Sequence, residues 1–184
     1  MKGKRLLVLA GAIGLAVSVT PLAFGHATVS AANPQGAALT GARTNYVLRV
    51  PNERADRATT RVTMNVPTEV QTAVSVLWMP GWTIKLARVD TGGKAADGAP
   101  IMATTRITWI AQKGNTLMPG FFSEFYFRFQ NPVSPTRLCF PTLQQYGGKL
   151  NAKGKPKGAG ELVSWTGPAD AATPASCVSI VASK

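Results

Sequence analysis

Hydrophobic and polar residues alternate along most of the chain beyond residue 26, with a period of two. Tyr46, Leu48 and Val50 interleave with Val47 and Arg49, and Val62, Met64 and Val66 with Arg61, Thr63 and Asn65. The pattern recurs at Ile84 and Leu86, at Ile107 and Trp109, and at Phe125, Phe127 and Phe129, which are flanked by Glu124, Tyr126, Arg128 and Gln130. Successive side chains of a strand point to opposite faces, so this pattern predicts antiparallel strands with one face on a core and the other in water. Turn-forming clusters separate the runs, among them Asn33-Pro34-Gln35-Gly36, Pro51-Asn52, Pro80-Gly81, Pro119-Gly120 and Asn131-Pro132. No stretch after residue 26 sustains a helical period. About nine strands, with turn signals every 8–14 residues or so, predict an all-β fold, an antiparallel β-sandwich. Trp78, Trp82 and Trp109 are assigned to core packing, the usual place of tryptophan.

One segment breaks the alternation. Gly147 to Gly160 reads GGKLNAKGKPKGAG, with four lysines, five glycines and a single leucine. It has too little apolar surface to order itself and reads as a mobile basic loop between two strands. Its plain reading is a tolerated surface insertion. Its functional reading is weak contact with an anionic envelope surface.

The first 25 residues change the setting. Lys2, Lys4 and Arg5 precede an apolar run from Leu6 to Val19, then Pro21, with small residues at Ala23 and Gly25. This is the layout of a secretory signal peptide, and the run is too short for an ordinary membrane span. Residues 1–25 are therefore read as a signal peptide and 26–184 as a single domain, exported to the periplasm or beyond the cell. A cut before Thr28 also satisfies the small-x-small rule, through Gly25 and Ala27, and stays open. Three of the 20 Lys and Arg and none of the 8 Asp and Glu lie in residues 1–25, so residues 26–184 carry a formal +9. For an exported chain this charge fits anionic envelope polymers or lipids, or simply a well-solvated surface, and no nucleic-acid partner is expected. Cys139 and Cys177 are an even pair in an oxidising compartment, which favours one disulfide over two buried thiols.

The candidate chemistry begins at the cut. His26 is the only histidine of the chain. If cleavage falls after Gly25, its free α-amine and imidazole Nδ1 can chelate one metal ion. Imidazole suits copper, nickel and zinc, and a nitrogen pair from one residue with no second histidine points to Cu(II).

Several short motifs carry a resemblance: His26-Ala27-Thr28-Val29, Arg49-Val50-Pro51-Asn52-Glu53, Pro80-Gly81-Trp82, Arg106-Ile107-Thr108-Trp109, the run Phe140 to Tyr146, and Val163-Ser164-Trp165-Thr166-Gly167-Pro168. Taken in order, they resemble the YcnI-like copper-binding domain family across essentially the whole chain after residue 25. The resemblance implies a cupredoxin-like or immunoglobulin-like sandwich and a mononuclear Cu(II) site, a monohistidine brace. It implies that His26 supplies amine and imidazole, that Glu53 supplies a carboxylate, and that Trp165 lies against the metal. It implies binding or shuttling of copper, with another copper-handling envelope protein as a possible partner, and no turnover reaction. Three features depart from the family pattern. The Gly147–Gly160 loop is longer than the family's short turn, the paired cysteines are not a hallmark, and Leu117-Met118-Pro119-Gly120 replaces a more proline-rich turn.

Ligand counting removes several rivals. A blue-copper carrier needs two histidines and a cysteine, and a two-histidine brace fails for the same reason. A hydrolytic triad built on His26 would rest on a poorly held chain terminus. No enzyme is expected. The alternative is a non-metal adhesive or carbohydrate-binding sandwich that uses exposed aromatics and basic charge.

Overall fold

The computed structural model describes residues 25–34 and 36–183. The signal peptide assigned to residues 1–25 lies outside the described residues except for Gly25. The described strands, in chain order, are β1 (Thr28–Ala31), β2 (Ala38–Leu39), β3 (Arg43–Pro51), β4 (Thr59–Asn65), β5 (Ser75–Val76), β6 (Trp82–Lys94) and β7 (Pro100–Ala111). They continue with β8 (Phe122–Gln130), β9 (Thr136–Phe140), β10 (Thr142–Tyr146), β11 (Lys149–Leu150), β12 (Pro156–Lys157), β13 (Glu161–Trp165) and β14 (Ser176–Val181). A 3₁₀ helix, Thr68–Ala73, links β4 to β5. The runs of alternating residues fall on strands, except that Val66 lies one residue past β4. The strands beyond the nine expected are mostly two-residue pieces, too short to show a period.

Two antiparallel sheets form the sandwich, one in the order β1-β3-β8-β5 and the other β13-β10-β4-β7-β6. Their inward residues are the apolar set of the alternation. Tyr46, Leu48, Val50, Phe125, Phe127 and Phe129 come from the first sheet, and Val62, Met64, Ile107 and Trp109 from the second, and all are buried. Phe125 joins the layers, with its ring centroid 5.0 Å from those of both Trp82 and Trp109. Tyr46 stacks on Phe129 at 4.3 Å, and its hydroxyl donates to Asn131 Oδ1 at 2.7 Å. Burial raises that hydroxyl's pKa to about 12. A third sheet, β2-β14-β9, carries the disulfide: Cys139 and Cys177 are direct cross-strand partners and are bridged.

Two expectations change. Gly147–Gly160 is not structureless. Lys149 pairs with Lys157 and Leu150 with Pro156 in a small hairpin. Its anchors are polar, which a hydrophobicity argument overlooks. Arg57 Nη1 donates to the carbonyls of Gly147 and Ala159 at 3.0 Å each, and Lys149 Nζ lies 3.2 Å from Asp56 Oδ2. Trp82 and Trp109 are core, but Trp78 is exposed. It falls in the irregular stretch between β5 and β6, where no ladder turns it inward.

Strand register places the start of the domain. β1 runs antiparallel to β3 with Thr28 opposite Arg49, so the residues just before Thr28 lie beside those just after Arg49. On the other sheet β10 sits between β4 and β13, with Thr142 opposite both Met64 and Trp165.

Candidate metal centre

The turn after β3 is fixed by one buried side chain. Asn52 Nδ2 donates to the carbonyls of Arg57 and Leu117, both at 2.8 Å, and its Oδ1 accepts from the Arg54 N–H at 3.0 Å. Its own backbone N–H donates to the Phe121 carbonyl at 2.8 Å, and its carbonyl accepts from Gly120 N–H at 3.1 Å. An asparagine can close such a turn by hydrogen-bonding the backbone two residues on. The conformation of the next residue, Glu53, is thereby set.

Glu53 is half-buried, and its Oε1 accepts a hydrogen bond from the Gly25 backbone N–H. A Cβ on residue 25 would lie 2.7 Å from that oxygen and 3.2 Å from Pro51 Cγ, so a larger residue there would require the Glu53 carboxylate to shift. Burial raises the Glu53 pKa above the usual carboxylate value, and the charges of His26 and Arg54 pull it partly back.

Arg54 is adjacent in sequence, yet its guanidinium is engaged elsewhere. It makes three hydrogen bonds to Glu161, the shortest from Nη2 to Oε1 at 2.6 Å, and lies 5.5 Å from the Tyr146 ring centroid. Arg57 Nε stands 3.5 Å from the second oxygen of Glu161. The hydrogen bond from Arg54 holds the Glu161 pKa below the usual carboxylate range. Among the described residues, Glu53 has no salt-bridge partner within 4.0 Å.

His26 is exposed, and its ring packs at a tilt of 56° on Trp165, with centroids 5.3 Å apart. Trp165 is buried and donates its indole N–H to Gln144 Oε1 at 3.1 Å. Gln144 is fully buried, and its Nε2 donates to the Pro51 carbonyl at 2.8 Å and to Thr59 Oγ1 at 2.9 Å. One amide thus ties the tryptophan of β13 to the end of β3. Glu53, Arg54, Tyr146, Val163 and Trp165 line a cavity of about 210 Å³.

All three residues read from the sequence therefore meet. Glu53 and Trp165 share the cavity wall, the His26 ring packs at a tilt against Trp165, and the residue before His26 hydrogen-bonds Glu53. Among the described residues, no three His, Cys, Asp or Glu side chains converge as a metal cluster. The side-chain donors here are one imidazole and one carboxylate, so a tight metal site would need a further donor from the backbone. Gln144, Arg54 and Glu161 escaped the sequence reading as site residues. Gln144 was findable: it shares the inward parity of Thr142 and Tyr146 on β10, and a glutamine at a core position implies bonded partners. Arg54 and Glu161 are 107 residues apart, and no local signal links them.

Residues 26–179 match the family described as a domain of unknown function, DUF1775. The chain belongs to this family. The YcnI-like resemblance of the motifs is thus borne out, and the match starts at His26. This DUF1775 domain is 25% identical over 184 residues to the "Copper-binding protein CutI" of Bacillus subtilis (strain 168), across 100% of this chain and 76% of that protein. It also resembles an uncharacterized protein from Nocardia farcinica whose crystal structure is described as an immunoglobulin-like fold. The two share 27% identity and a TM-score of 0.61, over 85% of this chain and 98% of the other. The immunoglobulin-like sandwich expected for a DUF1775 domain is therefore the fold of this chain.

Proposed function

We propose that this DUF1775 protein is an exported copper-binding protein, not an enzyme, that carries one Cu(II) ion in copper trafficking or homeostasis. Its mature chain begins at His26. The α-amine and imidazole of that residue bind the ion as a monohistidine brace, Glu53 supplies a carboxylate, and Trp165 walls one side. The observation that carries the reading is the convergence of His26, Glu53 and Trp165 from three segments far apart in sequence. Two further facts support it: the Bacillus subtilis relative is named a copper-binding protein, and the family match begins at His26.

The donor set suits the cargo. Amine and imidazole nitrogens with a carboxylate oxygen favour tetragonal Cu(II). Residues 26–184 carry a formal +9, which opposes a dication, so a carboxylate at the site matters more than it would in an acidic protein. Glu53 is available because Arg54 is held by Glu161, and a bound cation would offset the cost that burial places on its charge. Trp165 keeps bulk water from one side of the imidazole. Another copper-handling envelope protein delivers or collects the ion.

The test compares Cu(II) titrations of protein starting at His26 with protein carrying one extra residue before it. The first should take up one ion tightly with a nitrogen-rich tetragonal spectrum. The second should bind far more weakly, because an amide nitrogen offers no lone pair without losing its proton. Glu53→Gln in the first form should keep the fold and weaken binding. Equal affinity with and without the extension would overturn the brace.

A further inference from the structure

The outer face of the five-stranded sheet is uncovered. Val62, Met64, Ile107 and Trp109 point to the core, so the residues between them point to solvent. Register orders these residues across all five strands. The central row runs Ser164, Leu143, Thr63, Thr108, Lys85, from β13 to β6. The row on one side runs Leu162, Gln145, Arg61, Ile110, Thr83, and the row on the other holds Asn65, Arg106 and Ala87. None of these residues is buried, so no other element lies over them. The charge of the face is of one sign. Arg61, Lys85 and Arg106 are exposed on it, and no Asp or Glu shares the three rows. Among the described residues, none of these three cations lies within 4.0 Å of an acid, whereas Arg49, Arg54 and Arg57 on other surfaces are all paired. A strand spacing of about 4.8 Å and a rise of about 6.8 Å per two residues set the Cα atoms of Lys85 and Arg106 about 8 Å apart, with that of Arg61 about 12–14 Å from each. Between the cations the hydroxyls of Thr63 and Thr108 meet at 3.4 Å.

We propose that this face binds an acidic polysaccharide, laid across the strands with its acidic groups against Arg61, Lys85 and Arg106. Three unpaired cations with no acid among them are complementary to a chain of repeated negative charge. The neutral positions select the kind of chain. Thr63, Thr108, Ser164 and Asn65 present hydroxyl and amide groups that both donate and accept, which matches a ligand rich in hydroxyls. The three rows hold no aromatic ring, so they offer single-stranded nucleic acid no stacking platform and a lipid bilayer no interfacial anchor. The face also has the extent a polymer needs. Five strands span about 19 Å, room for several sugar rings in line. Gln144 and Trp165 alternate with these residues and project from the other side of the same sheet, so a polymer held here leaves the candidate metal centre uncovered. The inference stands apart from the copper reading and shares no residue with it.

The test is calorimetric titration of the full chain as the cell processes it, in metal-free buffer, with oligogalacturonate as the probe and dextran and polyglutamate as comparisons. Oligogalacturonate should bind, dextran should not, and polyglutamate, which has the charge without the hydroxyls, should bind more weakly. The variant R61Q/K85Q/R106Q should weaken oligogalacturonate binding roughly tenfold, since three surface ion contacts are lost. K153Q/K155Q/K157Q removes the same charge from the β11-β12 hairpin and should weaken it by less than about twofold, because charge away from the face acts only through a field that salt screens. T63V/T108V removes no charge and should still weaken binding measurably, as two hydroxyl contacts go. All the substituted positions face solvent, so circular dichroism and melting temperature should stay at their wild-type values. The proposal is overturned by no binding of oligogalacturonate, by equal binding of dextran or polyglutamate, by a hairpin variant that costs as much as the face variant, or by an unchanged affinity in T63V/T108V.

Discussion

Gln144→Leu isolates the contact on which the candidate site depends. The wild-type amide is fully buried and makes three hydrogen bonds, to the Trp165 indole N–H, the Pro51 carbonyl and Thr59 Oγ1. Leucine fills much of the same space and makes none of them. The Thr59 hydroxyl keeps Tyr146 as a neighbour, so two groups are left without partners, the indole N–H and the Pro51 carbonyl. A buried polar group stranded in this way costs about 1–3 kcal/mol, which gives about 2–6 kcal/mol for the pair. Burial of the leucine returns roughly 1.5–3 kcal/mol, leaving a net loss of about 0.5–3 kcal/mol. Guanidinium unfolding followed by circular dichroism measures this from a fall in midpoint at unchanged slope. The variant should also lose Cu(II) affinity, because Trp165 and the Pro51-Glu53 segment are no longer held to one another. A stability loss below about 0.5 kcal/mol, or destabilised protein that binds copper as tightly as wild type, would refute the reasoning.

Other expectations follow from single contacts. Replacing Cys139 and Cys177 by serine should cost about 3–4 kcal/mol in the chain-entropy view of a loop of 38 residues, read by denaturant unfolding of oxidised wild type against the double variant. The Glu161 pKa is lower folded than unfolded, so its contribution is present above the ordinary carboxylate range and fades as pH falls through the folded value. The stability gap between wild type and Glu161→Gln should therefore be full at neutral pH and shrink in acid, and a gap that widens in acid would contradict the pairing with Arg54.

Most of the sandwich was legible because its strands are long enough to display a period. β3 and β8 each carry three alternating apolar positions and β4 and β7 two, and all of these are buried. The two-residue strands were not legible, since two residues define no period. The β11-β12 hairpin was missed because Arg57 and Asp56, nearly a hundred residues earlier, hold it by charge and carbonyl contacts rather than by apolar burial. Trp78 was misplaced because tryptophan prefers the core and its exposure is decided by an irregular stretch, not by composition. At the candidate site, His26 was legible as a lone histidine at a processing signal. Glu53 and Trp165 came from the motif resemblance, and neither stands out by chemistry alone. Their convergence depends on the β1-β3 register and on Gln144, and both are properties of the folded chain.

The arrangement of charge around Glu53 runs against the composition. In a domain with 8 acidic residues and a large cationic surplus, a half-buried carboxylate should normally end in an ion pair. Here Asp56 meets Lys149 and Arg57, Glu124 meets Arg49, and Glu161 meets both Arg54 and Arg57. Glu53 follows Pro51-Asn52 and precedes Arg54, and among the described residues it escapes pairing because Asn52 fixes the turn while Glu161 draws the neighbouring guanidinium towards β13. Under the proposed function, Glu161 is therefore more than a stabilising partner: it keeps a cation off the carboxylate proposed to receive the metal. Simple charge counting says that removing any acid from a basic protein weakens cation binding through the general field, an effect that salt screens. Releasing Arg54 beside Glu53 acts at contact range, where screening is weak. Copper binding by Glu161→Gln should thus stay impaired as salt rises, whereas removal of the distant Asp97 should matter little at any ionic strength.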